Sequence, residues 1–343
     1  FRHYGDNIEI SNKIIKDIVS LSVRYLTENY LPDKAFDLLD ASIGQCVKDK
    51  RTVVNITDVA YAIYLKTNIP VSTIASSLNP TVYDLKNVLK RRVKGQDDAI
   101  DQIVKAVDLS FVSLNNPNQP LASFLFLGTT GVGKTEMGLA MAEGLFQDET
   151  NMIRLDMAEF NTKDAVERLL GSGNKRGILT EAVRRKPYGI LLLDEIEKAH
   201  PIVWDLLLSI LDAGEIQDAR GRNVNFKNVI IIMTTNLAAN TIKTKEAWKA
   251  DRQMSKEEQR YRQNLFHKRI DLVLQRTFRP EFVNRLGNRI VFNILDKEEV
   301  ILIAKKYLDV LSLRLEKVGY HLLYDYDVID YLTDMGTDTD NGA

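Results

Sequence analysis

Eight consecutive residues, Gly128-Thr129-Thr130-Gly131-Val132-Gly133-Lys134-Thr135, fit the pattern G-x-x-x-x-G-K-[ST]. In that pattern the glycines let the main chain wrap anionic oxygens with its N–H groups. The lysine neutralises the outer phosphates and the hydroxyl reaches Mg²⁺. Thr130, Gly131, Val132, Gly133, Lys134 and Thr135, with Glu136 in the turn that follows, are therefore the expected contacts to a nucleoside triphosphate. A second cluster, Asp194-Glu195, ends the apolar run Ile190-Leu191-Leu192-Leu193. Asp194 is suited to hold Mg²⁺ together with Thr135, and Glu195 to orient and deprotonate an attacking water. A third run, Val229 to Met233, leads into Thr234-Thr235-Asn236. Asn236 could touch the γ-phosphate or the water from a strand tip, although an Asn after a strand is more commonly a turn residue.

Such residues need a scaffold that brings separate strand ends together. Phe124-Leu125-Phe126-Leu127, Ile153-Arg154-Leu155, Ile190 to Leu193 and Val229 to Met233 are short apolar runs bounded by turn signals, the pattern of buried parallel strands. Helical spacing at Thr135 to Phe146, Ala165 to Leu170 and Val203 to Asp212 lies between them. The expectation is an α/β fold, a parallel sheet flanked by helices over residues 79–295. Residues 1–78 read as a small helical unit. Its helices start near Ser11, near Ala35 after the Leu31-Pro32-Asp33 break, and near Val59 after a cap at Asn55 to Asp58. A linker at Ser76 to Asn79 leads into a helical stretch, Val82 to Ser113, interrupted at Gly95. Lys243 to Arg269 reads as a highly charged, solvated helix, its run Lys243 to Lys256 as a solvated face, and residues 296–343 as the start of a second small helical unit.

Composition excludes several alternatives. The 343 residues are 45% apolar and 27% charged, as expected of a folded globular chain of about two domains. Lys and Arg (46) balance Asp and Glu (47), which speaks against a nucleic-acid-coating or membrane-surface protein. The single Cys46 excludes an intramolecular disulfide and a multi-thiolate metal site, and fits a reducing, cytoplasmic compartment. No apolar run reaches the roughly 18 residues of a membrane span. His3, His267 and His321 lie far apart without zinc spacing, while His200, before Pro201, reads as a helix-entry residue. Phe1 in place of Met, and the ending GTDTDNGA, lead to the expectation of a piece cut from a longer polypeptide.

Taken in order, GTTGVGKTE, LLLDEIEKAHP, MTTN and FRPEFVNRLG resemble the ATP-dependent Clp chaperones and unfoldases of the AAA+ class. YLTENYLPDKAFDLLD and NIPVSTI resemble the small helical end of their first ATPase module, and RRVKGQDDAIDQIVKAV the entry to their second. The resemblance covers nearly the whole chain. It implies ATP as the nucleotide, hydrolysed to ADP and phosphate, with Val93 and Lys94 beside the adenine and Asn236 as sensor of the γ-phosphate. It also implies that Arg285 acts as an arginine finger on the neighbouring subunit of a homo-oligomeric ring, a hexamer, with Arg279 the weaker candidate. The expected substrates are unfolded or tagged proteins, and the setting is bacterial cytosol or an organelle of bacterial origin.

Four departures from the family pattern stand out. The stretch Leu170 to Ile178, where the family carries a glycine-aromatic-small-glycine loop that grips substrate in the pore, is short and has no aromatic. It reads as a shortened loop reaching out only with Lys175 and Arg176, as a loop from which a flexible piece is missing, or as a flexible linker. Between Leu237 and Arg279 there is no Ile/Leu-Gly-Phe/Leu tripeptide of the kind that docks a peptidase partner. The family's Gly-Ala-Arg sensor would place its arginine beyond Gly342-Ala343, and Asp37 to Ile69 is too short for the coiled coil of the disaggregating members. An AAA+ nucleic-acid remodeller, a loader or helicase, would share every phosphate-handling residue and stays as the alternative. The neutral charge balance and the lack of a basic-aromatic stripe count against it.

Overall fold

The computed structural model describes residues 8–26, 30–67, 71, 74, 85–111, 118–173, 175–242 and 256–336. Three helices come first: α1 (Asn12–Tyr25), α2 (Asp33–Lys48) and α3 (Ile56–Thr67). Ser11 caps α1 by accepting a hydrogen bond from the Ile14 N–H, which relieves one of the orphan donors of a helix start. Ile18, Leu21, Leu38, Val59 and Ile63 are buried between these helices. This apolar cluster runs without a break into the sheet-bearing part of the chain, where Tyr25 meets Tyr188 at a ring separation of 5.2 Å. The linker expected at Ser76 to Asn79 lies outside the described residues. Next come α4 (Leu85–Arg92) and α5 (Asp97–Phe111), parted at Val93 to Gln96 as the Gly95 interruption implies.

The sheet-bearing part begins with β1 (Ala122–Leu127), α6 (Lys134–Phe146), β2 (Met152–Asp156) and α7 (Ala165–Leu170). A small hairpin of β3 (Gly171–Ser172) and β4 (Lys175–Arg176) precedes α8 (Ile178–Arg185), β5 (Gly189–Asp194) and α9 (Pro201–Ala213). A second hairpin, β6 (Glu215–Gln217) with β7 (Asn223–Asn225), leads to β8 (Val229–Thr235). The chain continues through α10 (Lys256–Thr277), α11 (Pro280–Arg285), β9 (Asn288–Val291), α12 (Lys297–Glu316) and α13 (Tyr326–Gly336).

Five strands pair in parallel in the order β2-β5-β8-β1-β9. Every residue of β5 and β8 is buried, which explains why both runs are apolar throughout instead of alternating. Two expectations need correction. The Leu170 to Ile178 stretch is no open linker: Gly171 pairs with Arg176 and Ser172 with Lys175 in an antiparallel hairpin. The charged helix is not solvated all round, because Phe266, Ile270 and Leu274 recur every four residues and bury one stripe of α10 in the core. Its run Lys243 to Lys256 falls almost wholly outside the described residues. His200 does cap α9, its Nδ1 accepting from the Ile202 N–H. Among the described residues no helix is long and apolar enough to cross a membrane.

The β6–β7 turn is built on buried Asp218, which accepts from the main-chain N–H groups of Arg220 and Arg222 and from the guanidiniums of Arg222 and Arg184. Burial pushes its pKa up, but these donors outweigh it and hold the carboxyl well below the ordinary carboxylate range. A carboxylate of lowered pKa stabilises the fold above its unfolded pKa of about 4, and that stabilisation is lost as pH falls toward the folded value. Asp218→Ala should cost about 2 kcal/mol in urea denaturation at pH 7. The gap to the parent should narrow steadily below about pH 4.

Candidate active site

Parallel pairing places the ends of β1, β5 and β8 at one edge of the sheet, with Leu127 opposite Thr235 and Leu193 opposite Met233. Lys134, Thr135, Asp194, Glu195, Thr234 and Asn236 consequently line one cavity of about 430 Å³, although their sequence positions span a hundred residues. The phosphate loop is shaped by glycines at Gly131 (φ +80°) and Gly133 (φ +96°), where side chains are strained. A Cβ on Gly128 would come within 3.0 Å of the side chains of Val132 and Phe292. Buried Gln96 clamps the loop from outside: its amide donates to the carbonyls of Val132 (3.2 Å) and Asn293 (3.0 Å) and accepts from the Asn293 N–H (2.9 Å).

Lys134 donates to the carbonyls of Gly128 (2.8 Å) and Thr129 (2.7 Å) and to Asn236 Oδ1 (2.7 Å). Burial drives its pKa down to about 8, against the pull of Asp194, Glu197 and Glu195. Asp194 accepts from the Thr234 hydroxyl with one oxygen and from Arg154 Nη2 (2.7 Å) and Nε (3.2 Å) with the other. Thr234 Oγ1 in turn accepts from the Glu195 N–H at 3.0 Å. Glu195 sits in the left-handed region (φ 57°, ψ 53°), a conformation that costs a non-glycine residue of order 1 kcal/mol and is kept where neighbours enforce it. Its carboxylate meets Lys198 Nζ at 2.5 Å and Asn236 Nδ2 at 3.3 Å. Glu197 accepts from the Asn236 N–H at 3.0 Å, so Asn236 is held from both its main chain and its side chain.

Val93 and Lys94 line a second, smaller cavity of about 160 Å³ on the other side of the phosphate loop, together with Val132, Ile303 and Tyr307. The Lys94 side chain folds back onto the Lys90 carbonyl (2.9 Å), so it lends its backbone and stem and not its ammonium. Glu136 departs from expectation in a similar way: it lines both cavities, but its carboxylate is engaged by Arg92 and Lys306. Arg285 and Arg279 line neither cavity. Arg285 is exposed and pairs with Asp212 (2.9 Å), and Arg279 with Asp205 (3.0 Å). Sequence reasoning missed Arg154, Gln96 and Thr234 as site residues. A lone arginine inside an apolar strand and the threonine pair after β8 were the available signals.

Among the described residues no group of three or more His, Cys, Asp or Glu is arranged to hold a metal ion. The donor set fits Mg²⁺, which binds by one or two protein oxygens and completes its shell with phosphates and water. Thr135 and Asp194, the oxygens expected to do so, both line the larger cavity.

Residues 119–289 match the model of the AAA domain (Cdc48 subfamily), and residues 2–64 that of an AAA lid domain. The chain is 40% identical to the chaperone protein ClpB of Mycoplasma genitalium over 302 residues, covering 85% of this chain and 39% of that protein. It is 33% identical to the negative regulator of genetic competence ClpC/MecB of Bacillus subtilis, over 98% of this chain and 49% of that one. The chain belongs to the Clp-type AAA+ ATPase family. It spans less than half the length of these relatives. The Hsp104:casein complex of S. cerevisiae superposes with a TM-score of 0.80 at 35% identity, over all of this chain and 58% of that one. The parallel sheet flanked by helices expected from the sequence is thus the fold of this family.

Thr234 ties both acidic residues to the tip of β8, and it is fully buried. Thr234→Val keeps the shape and removes the hydroxyl, leaving the Glu195 N–H and an Asp194 oxygen unpaired. A loss of about 1–3 kcal/mol is expected from denaturant unfolding.

Proposed function

We propose that this chain is the ATP-hydrolysing module of a ring-forming, cytoplasmic chaperone that remodels or translocates protein substrates. The observation that supports it most is the convergence of Lys134, Asp194-Glu195 and Asn236 on one cavity at the strand ends. Lys134 places positive charge on the outer phosphates, and Thr135 and Asp194 hold Mg²⁺. When bound, Mg²⁺ would supply neutralisation of the charge that develops on the transferring phosphoryl group. Glu195, already aimed by Thr234 and Asn236, takes the proton of the attacking water. Asn236 contacts both Lys134 and Glu195, so loss of the γ-phosphate is felt at the base and at the phosphate loop together.

Arg285 stands away from the chain's own cavities and exposed, as suits a residue that completes the site of a neighbouring subunit in a hexameric ring. An arginine supplied in trans makes turnover depend on assembly. Unfolded protein is proposed as the substrate because one of the protein relatives named above, ClpB, is a chaperone and the Hsp104 structure is a complex with casein. The nucleic-acid remodeller finds no support among them.

Glu195→Gln should lower ATP turnover about 10²–10⁴-fold while nucleotide stays bound. Arg285→Ala should lower it about 10³-fold or more. Subunits carrying one change each should regain part of the turnover when mixed, because an intact Glu195 then meets an intact Arg285 across an interface. Turnover by phosphate release, with casein and with single-stranded DNA added in parallel, tests the substrate: stimulation by casein alone is expected. Stimulation by DNA alone would overturn the chaperone reading.

A further inference from the structure

Helix α12 covers the smaller cavity, yet only Val300 and Leu308 of its twenty residues are buried, and Leu302, Leu311 and Leu313 are exposed. Apolar packing alone therefore holds it weakly. Lys306, on the cavity side of the helix, donates to the Arg92 carbonyl at 2.8 Å and to Glu136 Oε1 at 3.0 Å. The same Glu136 oxygen accepts from Arg92 Nε at 3.1 Å, and Arg92 is pinned further by Glu143 (2.7 Å) and Glu149 (2.9 Å). The side chains of Lys306, Glu136 and Arg92 keep only 25%, 27% and 17% of their surface exposed, so solvent screens these bonds less than it does a surface pair.

These contacts join both walls of the cavity. Arg92 leads directly into Val93 and Lys94 on one wall, and Glu136 lines the other with Gly131, Val132 and Gly133 of the phosphate loop. We propose that Lys306 is a positioning residue for nucleotide: through Glu136 and the Arg92 carbonyl it straps α12 to both walls of the base-side cavity and sets how tightly nucleotide is held. The inference rests on the ATPase reading. It also makes Glu136 the point where a shift of the phosphate-loop helix reaches α12.

The test is equilibrium binding of a fluorescent ADP analogue to the full chain, with ATP turnover measured beside it. Lys306→Met keeps the apolar stem and should weaken ADP binding about tenfold. Turnover at saturating ATP should fall by less than about threefold, a split between KM and kcat. Lys306→Arg should retain most of the affinity, and Lys306→Met combined with Glu136→Ala should bind no worse than Glu136→Ala alone. A Lys306→Met protein that binds ADP within about twofold of the parent, or losses that add in full in the double variant, would overturn the strap while leaving the ATPase reading intact. A parent that binds no ADP would overturn both.

Discussion

The pairing of β8 with β1 on one side and β5 on the other is the constraint from which the site follows, because only parallel neighbours end together at one edge of a sheet. A register slip of one residue would turn Thr234 and Asn236 to the opposite face. Because β5 and β8 are apolar on both faces, hydrophobic patterning does little to set that register, and the polar contacts at the strand ends fix it. Asp194 is thereby the last residue of β5, and Glu195 and Asn236 are the first beyond β5 and β8.

At that edge three carboxylates, Asp194, Glu195 and Glu197, crowd around one buried lysine. The arrangement is stable because each acid has a specific donor: Arg154 and Thr234 for Asp194, Lys198 for Glu195, the Asn236 N–H for Glu197. Lys134 in turn spends its protons on two carbonyls and an amide oxygen instead of on an acid. The cation is thus kept close to the carboxylates without being captured by them. Such a lysine, short of full charge compensation and depressed to about 8, is well matched to an anionic ligand.

Inner strands and phosphate chemistry were readable because their signals are local: continuous apolar runs, a glycine-rich turn, acids at a strand end. What escaped depends on contacts far apart in the chain. Gln96 meets Asn293 across 197 positions and Lys306 meets Glu136 across 170, and no spacing rule reaches that far. Edge strand β9 carries Asn288 and Arg289 in a run of four, too polar and too short to stand out. In α10 the dense charge hid a stripe of Phe266, Ile270 and Leu274. Arg285 was legible only through resemblance, since its own surroundings offer no more than a surface ion pair with Asp212.

The β3–β4 hairpin carries a mechanical consequence. Its arms are two residues each, Gly171–Ser172 and Lys175–Arg176, and an extended residue advances about 3.3 Å. Each paired arm therefore reaches no more than about 7 Å. Cross-strand pairing makes so short a lever stiff, so its displacement follows the body beneath it almost one for one.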